Sequence, residues 1–264
     1  MLLTLLGDLG PWRERIYLAG GLAPRYLVGH LPEDSRTHVG TTDVDLIIGL
    51  ALGDDTSATY RTLQNNLEKS GFRQREPSFR WARDVDGVTV LVELLCETDQ
   101  VEPGRIFSPK GESTGARLGA FNVRGAQLVR RDFVERDLEG ERLDVGGRSR
   151  VTVRIANVLP YAVLKILAFQ DRHENKDAYD LVFTLLHFEG GPREAGRVAA
   201  ASPVAGHSQV AEALSLLEDR FRDVDQDGPH AYASFLADRD DEGGMARLRQ
   251  EAVATIRAFL QGMR

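Results

Sequence analysis

The sequence predicts an α+β protein, with strands and helices mixed in its first part and helices alone in its last. Three observations carry this. Short β-prone runs, Arg15–Ala19, Asp43–Ile48, Phe79–Arg83 and Val88–Cys96, alternate with turn signals over the first hundred residues. Beyond Leu159 apolar residues recur at helical spacing almost to the end. No internal repeat or low-complexity linker separates the two parts. We place the boundary at 156/157, giving a mixed N-terminal domain over 1–156 and a helical domain over 157–264.

Met1–Asp8 reads as a first helix: it is apolar, but it lacks a basic leader and meets an acid early. Ile16–Ala19 is the first strand, broken by Gly20-Gly21, and Leu22–His30 reads as a helix. Leu31–Thr42, with Pro32 and Gly40, is a loop. Asp54–Ser70 is a helix ended by Gly71. Asp86-Gly87 is a hairpin turn joining Phe79–Arg83 to Val88–Cys96. Pro103–Ala126 reads as irregular, and further strands fall around Phe133-Val134 and Val151–Ile155. The expected late helices are 159–172, 177–188, 207–221, 229–238 and 244–262.

Composition is that of an ordinary globule of 264 residues, long enough for a substantial core. The net charge of −7 argues against broad nonspecific nucleic-acid binding. Between Arg117 and Arg154, however, nine arginines face six acids, a local excess that suits a polyanionic substrate. One cysteine, Cys96, excludes an internal disulfide and points to a reducing cytoplasm. No apolar run approaches the roughly 20 residues needed to span a bilayer, so no membrane partner is expected.

Asp43 and Asp45 carry the most chemical information. Two residues apart on a strand, they face the same side, and two adjacent carboxylates repel unless neutralised. A hard divalent cation that takes one or two carboxylates together with phosphate oxygens fits such a pair. Gly20-Gly21, between a strand and a helix, would let a phosphate approach the backbone. Glu93, inside the apolar run Val88–Leu95, is costly there unless paired or ligated. It faces solvent at a sheet edge, pairs with a nearby arginine, or is a third metal carboxylate on a strand beside Asp43 and Asp45.

Gly20-Gly21, the Thr42-Asp43-Val44-Asp45-Leu46 run and a later carboxylate on a strand together resemble the DNA polymerase β-type nucleotidyltransferase superfamily. Within it, Lys165-Ile166-Leu167-Ala168-Phe169-Gln170-Asp171-Arg172-His173-Glu174-Asn175-Lys176-Asp177-Ala178-Tyr179-Asp180-Leu181 is similar to the Lys…Ala…Arg…Lys-Asp-x-x-Asp-Leu segment of AbiEii-type toxins. These are the nucleotidyltransferase halves of bacterial toxin–antitoxin and phage-defence pairs. The resemblance covers Ile16 to about Phe188. It implies a small mixed sheet with helices, followed by a helical lobe, and transfer of NMP from an NTP to an acceptor hydroxyl, RNA or tRNA, with one or two Mg²⁺. It implies that Asp43, Asp45 and Glu93 hold metal, and that Gly20, Gly21, Thr42, Lys165, Arg172 and Lys176 contact nucleotide. Asp177 and Asp180 match the family aspartates, grouped with Lys165 as catalytic, and a cognate antitoxin protein is an implied partner. The chain departs from the superfamily pattern in having Gly-Gly for Gly-Ser, a long loop before Asp43, and Glu for Asp at position 93.

The Lys165–Asp180 segment also has a purely structural reading. On one helix Lys165, Arg172, Lys176 and Asp180 fall within about an 80° stripe. With Asn175 as N-cap of a second helix, Asp177 and Asp180 would instead pair with Arg172 and Lys176 to hold a corner. Two other functions fit the same residues: transfer to a small antibiotic-like hydroxyl compound, and a catalytically silent nucleotide-binding or antitoxin-binding module. Asp223-Val224-Asp225-Gln226-Asp227-Gly228 imitates half of a calcium loop, but Ser234 stands where that loop needs a glutamate, and the run reads as a polar helix connection.

Overall fold

The computed structural model describes residues 2–31, 37–41, 43–48, 57–85, 87–108, 118–141, 147–237 and 241–264. In chain order its elements are α1 (Leu2–Asp8), β1 (Ile16–Ala19), α2 (Pro24–Leu27), β2 (Asp43–Ile48), α3 (Ser57–Lys69), β3 (Arg73–Arg75), β4 (Arg80–Val85), β5 (Val88–Cys96), β6 (Ile106–Phe107), β7 (Ala120–Asn122), α4 (Ala126–Val129), β8 (Phe133–Glu141), β9 (Arg148–Ala156), α5 (Val158–Arg172), α6 (Asn175–Leu186), α7 (Gly191–Ala200), α8 (Ser208–Arg220), α9 (Asp227–Leu236) and α10 (Glu242–Gly262). The protein is α+β. Its contacts gather into two compact units, 1–22 with 41–156, and 23–40 with 157–264. Residues 23–40, which the sequence reading assigned to the first domain, thus belong to the second unit.

The first unit is built on a mixed sheet of order β3-β4-β5-β2-β1-β9-β8, with β7 pairing β5 and β6. β2 lies antiparallel to β1 and parallel to β5, and β5 returns antiparallel to β4. The register places Leu18 opposite both Leu46 and Ile155, and Leu46 opposite Leu94. All four side chains are buried, so one face of the central strands is apolar core. Burying each such side chain contributes about 2 kcal/mol. The other face, by strict alternation, carries Asp43, Asp45 and Glu93, all half-exposed.

Cys96, the last residue of β5, is buried, and burial, with Glu97 adding to it, pushes its thiol up to about 12. It is a core filler. Among the described residues no helix is long and apolar enough to cross a membrane.

Several elements differ from the sequence reading. Only Pro24–Leu27 of the expected 22–30 helix is α-helical, because Val28 turns extended and bridges to Phe188, both in the second unit. Residues 54–56 of the next expected helix lie outside the described residues, and its remainder is α3. Within 103–126, β6 and β7 form short strands that low apolar content concealed. β8 and β9 are far longer than expected. Their charged residues are matched across the ladder: Arg154 Nε donates to Glu135 at 3.0 Å, and Arg150 pairs with Asp137 and, at 3.4 Å, with Glu139. Opposite charges facing each other on paired strands favour the ladder. Arg150 and Arg154, from the arginine-rich stretch read as a polyanion surface, therefore have acidic partners.

The second unit is helical. Helix α7 was missed because Gly190, Gly191, Pro192 and Gly196 imitate a loop. The structure gives a reason for Gly196: a Cβ there would lie 2.2 Å from the Phe259 carbonyl oxygen, and one at Gly262 would lie 2.2 Å from that of Arg193. These glycines let the backbones of α7 and α10 touch. Asn175, expected as an N-cap, is instead the first residue of α6, and Glu174 occupies the cap position. The aspartates at 223–227 make the polar connection expected of them: Asp223 Oδ1 accepts from the Asp225 N–H at 3.0 Å, before α9 begins.

Gly196→Ala should destabilise the second unit by about 2 kcal/mol, because the methyl forces α7 away from α10. Urea unfolding monitored by circular dichroism measures this.

Candidate functional site

Two constellations contain the residues singled out in the sequence, one in each unit. In the first, β1 ends at Ala19 and the chain turns through Gly20 in the left-handed region, φ +63°. Ala19 pairs with Asp45 in the antiparallel register. A Cβ at position 20 would lie 1.6 Å from Asp45 Oδ2. The carboxylate therefore occupies the space that any side chain at 20 would need, and glycine is required on two counts. Gly21 is buried in the short 3-10 turn that follows. Before the strand, Thr41 Oγ1 accepts a hydrogen bond from the Asp43 N–H at 3.1 Å. Thr42, expected to contact nucleotide, lies outside the described residues.

Asp43 and Asp45 share the half-exposed face of β2, as their spacing requires. Glu93 stands opposite Asp45 in the parallel register, on the strand the third carboxylate was expected to occupy. Its Oε1, however, accepts from Arg80 Nε at 2.7 Å, and Arg80 stands directly opposite Glu93 on β4. Of the three alternatives open in the sequence, the arginine partner is the one formed here. Among the described residues no group of three His, Cys, Asp or Glu side chains is gathered to hold a metal ion. Arg80 went unremarked in the sequence, although the signal was present. The Asp86-Gly87 dipeptide predicts a two-residue hairpin turn, and counting outward from the Val85–Val88 pair places Arg80 against Glu93.

The second constellation lies at the α5–α6 corner. Lys165 Nζ donates to Asp180 Oδ2 at 2.7 Å and to Asp177 Oδ1 at 3.3 Å. Arg172 grips Asp177 with two parallel bonds, Nε to Oδ2 at 2.7 Å and Nη2 to Oδ1 at 2.8 Å. Lys176, one turn before Asp180 on the same helix, reaches its Oδ2 at 3.0 Å. Between the helices His173 adopts the left-handed conformation that ends α5, φ +51°. Lys165, Asp177 and Asp180 are buried, and charges out of water persist only when paired. Lys165, Arg172 and Lys176, expected at nucleotide phosphates, are all placed here with carboxylate partners. The pairs of the structural reading are present, with Lys165 added to them.

The sequence did not reveal His38. Its Nε2–H donates to Asp180 Oδ1 at 2.9 Å while its Nδ1 accepts from the Gly40 N–H at 3.0 Å, which fixes the neutral tautomer. The ring stacks on Tyr179, centroids 5.2 Å apart, and Tyr179 Oη accepts from the Val39 N–H at 2.9 Å. The 38–40 segment is thereby held to α6 by side chains some 140 residues distant. With His38 neutral, three cations meet two carboxylates. Burial alone would raise the Asp180 carboxyl, but Lys165, the His38 hydrogen bond and Lys176 outweigh it and hold the group well below the usual carboxylate range.

Two open surface depressions of the first unit, about 520 Å³ beside Glu68 and Arg73 and about 290 Å³ beside Arg13 and Arg150, include none of the candidate residues. The chain matches no protein-family model, no curated protein and no solved structure.

Because Asp180 is more acidic in the folded protein, it adds stability above its unfolded value of about 4 that is lost as pH falls below it. Asp180→Asn should cost about 3 kcal/mol at pH 7 and flatten the acid limb of a stability-versus-pH curve, read from urea midpoints between pH 3 and 7.

Proposed function

We propose that the chain is a metal-dependent nucleotidyltransferase that moves NMP from an NTP to an acceptor hydroxyl on RNA or tRNA. In this reading it acts like the AbiEii-type toxins it resembles, with a cognate antitoxin as partner. The observation that carries the reading is the Asp43/Asp45 pair on one face of β2, with the Asp45 carboxylate seated against Gly20. Two half-exposed carboxylates on a rigid strand fit Mg²⁺, which takes one or two protein carboxylates and completes its shell with phosphate oxygens and water. Asp43 and Asp45 would hold it, and the ion supplies a charge sink for the triphosphate. Glu93, paired with Arg80, does not fit as a third ligand.

The chain's own contribution is placement. Gly20 gives the Asp45 carboxylate its position, and the Thr41 hydroxyl fixes the backbone at Asp43. The acceptor oxygen bonds to the α-phosphorus, the α–β anhydride breaks, pyrophosphate leaves with the bonding pair, and the hydroxyl proton is released. In this proposal Lys165, Asp177 and Asp180 keep a structural role, holding the α5–α6 corner of the second unit.

A second reading, with a small antibiotic-like acceptor, is favoured by the acidic partners of Arg150 and Arg154, which lessen the positive field available to RNA. Salt separates the two, since an RNA acceptor makes activity fall steeply between 50 and 200 mM.

Asp43→Ala should abolish transfer from an α-labelled nucleotide to total RNA, a loss of at least about 100-fold, while circular dichroism stays unchanged. Full activity in that variant would overturn the assignment.

A further inference from the structure

The register draws a line of side chains across the half-exposed face of the sheet. Asp45 on β2 stands opposite Glu93 on β5, Glu93 opposite Arg80 on β4, and Arg80 opposite Arg75 on β3. Directly opposed residues share a face, so two anions are followed by two cations along one row. Neighbouring strands lie about 4.8 Å apart, so the row spans only some 15 Å. Asp45 and Arg80 stand two strand spacings apart, about 10 Å, a span that an extended triphosphate with its metal ion bridges.

We propose that Arg80, positioned by Glu93, is the phosphate-binding cation of this face, the role the family resemblance implies for Lys165. The inference rests on the nucleotidyltransferase reading above and names a residue that reading lacks. Three observations support it. First, Glu93 takes only the Nε of Arg80 (2.7 Å), and among the described residues no acceptor meets its two terminal nitrogens. Those are the nitrogens a guanidinium uses to grip a phosphate. Second, the Arg80 side chain is 43% exposed, whereas that of Lys165 is 8% exposed and bonded to two carboxylates. Third, its guanidinium carbon sits 5.1 Å from the Phe79 ring centroid, a stacking contact that limits its rotamers. Electrostatics demand such a group. A triphosphate carrying Mg²⁺ remains anionic and is repelled by Asp43, Asp45 and Glu93. Arg80 neutralises Glu93, and Arg75, exposed at the sheet edge, adds the next positive charge. Glu93 acts through Arg80 as a positioning residue and touches neither metal nor phosphate.

Isothermal titration tests this, with inorganic tripolyphosphate and each of the four common ribonucleoside triphosphates, in 5 mM MgCl₂ and in EDTA. Variants Arg80→Ala, Arg80→Lys, Glu93→Gln, Asp43→Ala and Arg136→Ala are compared with the wild type. Arg136, an exposed arginine of β8, controls for general charge loss. The expected results are a roughly tenfold weaker Kd for Arg80→Ala, partial recovery with Arg80→Lys, and a few-fold loss for Glu93→Gln with its Mg²⁺ dependence intact. Arg136→Ala should bind as wild type. If the wild type binds none of these probes, or binds them equally well after Asp43→Ala, the nucleotidyltransferase reading falls, and this proposal with it. If binding requires Asp43 yet is unchanged in Arg80→Ala, the assignment of Arg80 alone is overturned. Loss of Mg²⁺ dependence in Glu93→Gln would make Glu93 a metal ligand and also overturn it. Melting curves for each variant exclude misfolding as the cause of any loss.

Discussion

Asp180 is wholly buried and ionised, and the second unit is arranged so that this is tolerable. An isolated buried carboxylate would cost several kcal/mol or more, so it must be surrounded by donors or protonated. Here the donors come from three places in the chain: Lys165 from α5, Lys176 from α6 itself, and His38 from the segment before β2. Each brings its element with it. The α5–α6 corner closes, Tyr179 and Phe183 flank the His38 ring, and the 38–40 backbone is fixed by two further hydrogen bonds. Removing the anion would leave three elements without their common anchor.

The first unit solves a different electrostatic problem. Its central strands place carboxylates side by side on a half-exposed face, where water screens them. The carboxylate nearest the turn sits where only a glycine leaves room. The next one along the row is neutralised laterally by an arginine on the neighbouring strand. The acids thus differ in their surroundings, which is the usual route by which similar side chains acquire different roles. The apolar opposite face, with Leu18, Leu46, Leu94 and Ile155 in register, holds the geometry rigid beneath them.

Much of this was legible in the residues. The β-prone apolar run Val88–Cys96 behind its turn signal and the period-2 Asp43/Asp45 spacing are local signals, and the late helices follow from the 3.6-residue period. The pairs at Arg172–Asp177 and Lys176–Asp180 are local, within five residues: helical spacing alone brings the second together, and the short turn between α5 and α6 the first. What escaped was of three kinds. Gly196 lowers helix propensity for a reason visible only once α10 lies against it. β8 and β9 hide their strand character behind charges that cancel across the ladder. His38 meets Asp180 across 142 residues, and no local pattern encodes such an encounter. Arg80 lies between these cases, since hairpin counting predicts its partner but not which of its nitrogens remain available.

The lone thiol has a practical meaning. Cys96 closes the central strand β5 and is sealed in the core, with its ionisation displaced into the alkaline range. Only a thiolate reacts readily with alkylating reagents. The native chain is therefore silent towards them, and each modification event marks an excursion in which that strand has come free. The protein carries its own chemical clock for the opening of the sheet that bears the aspartates.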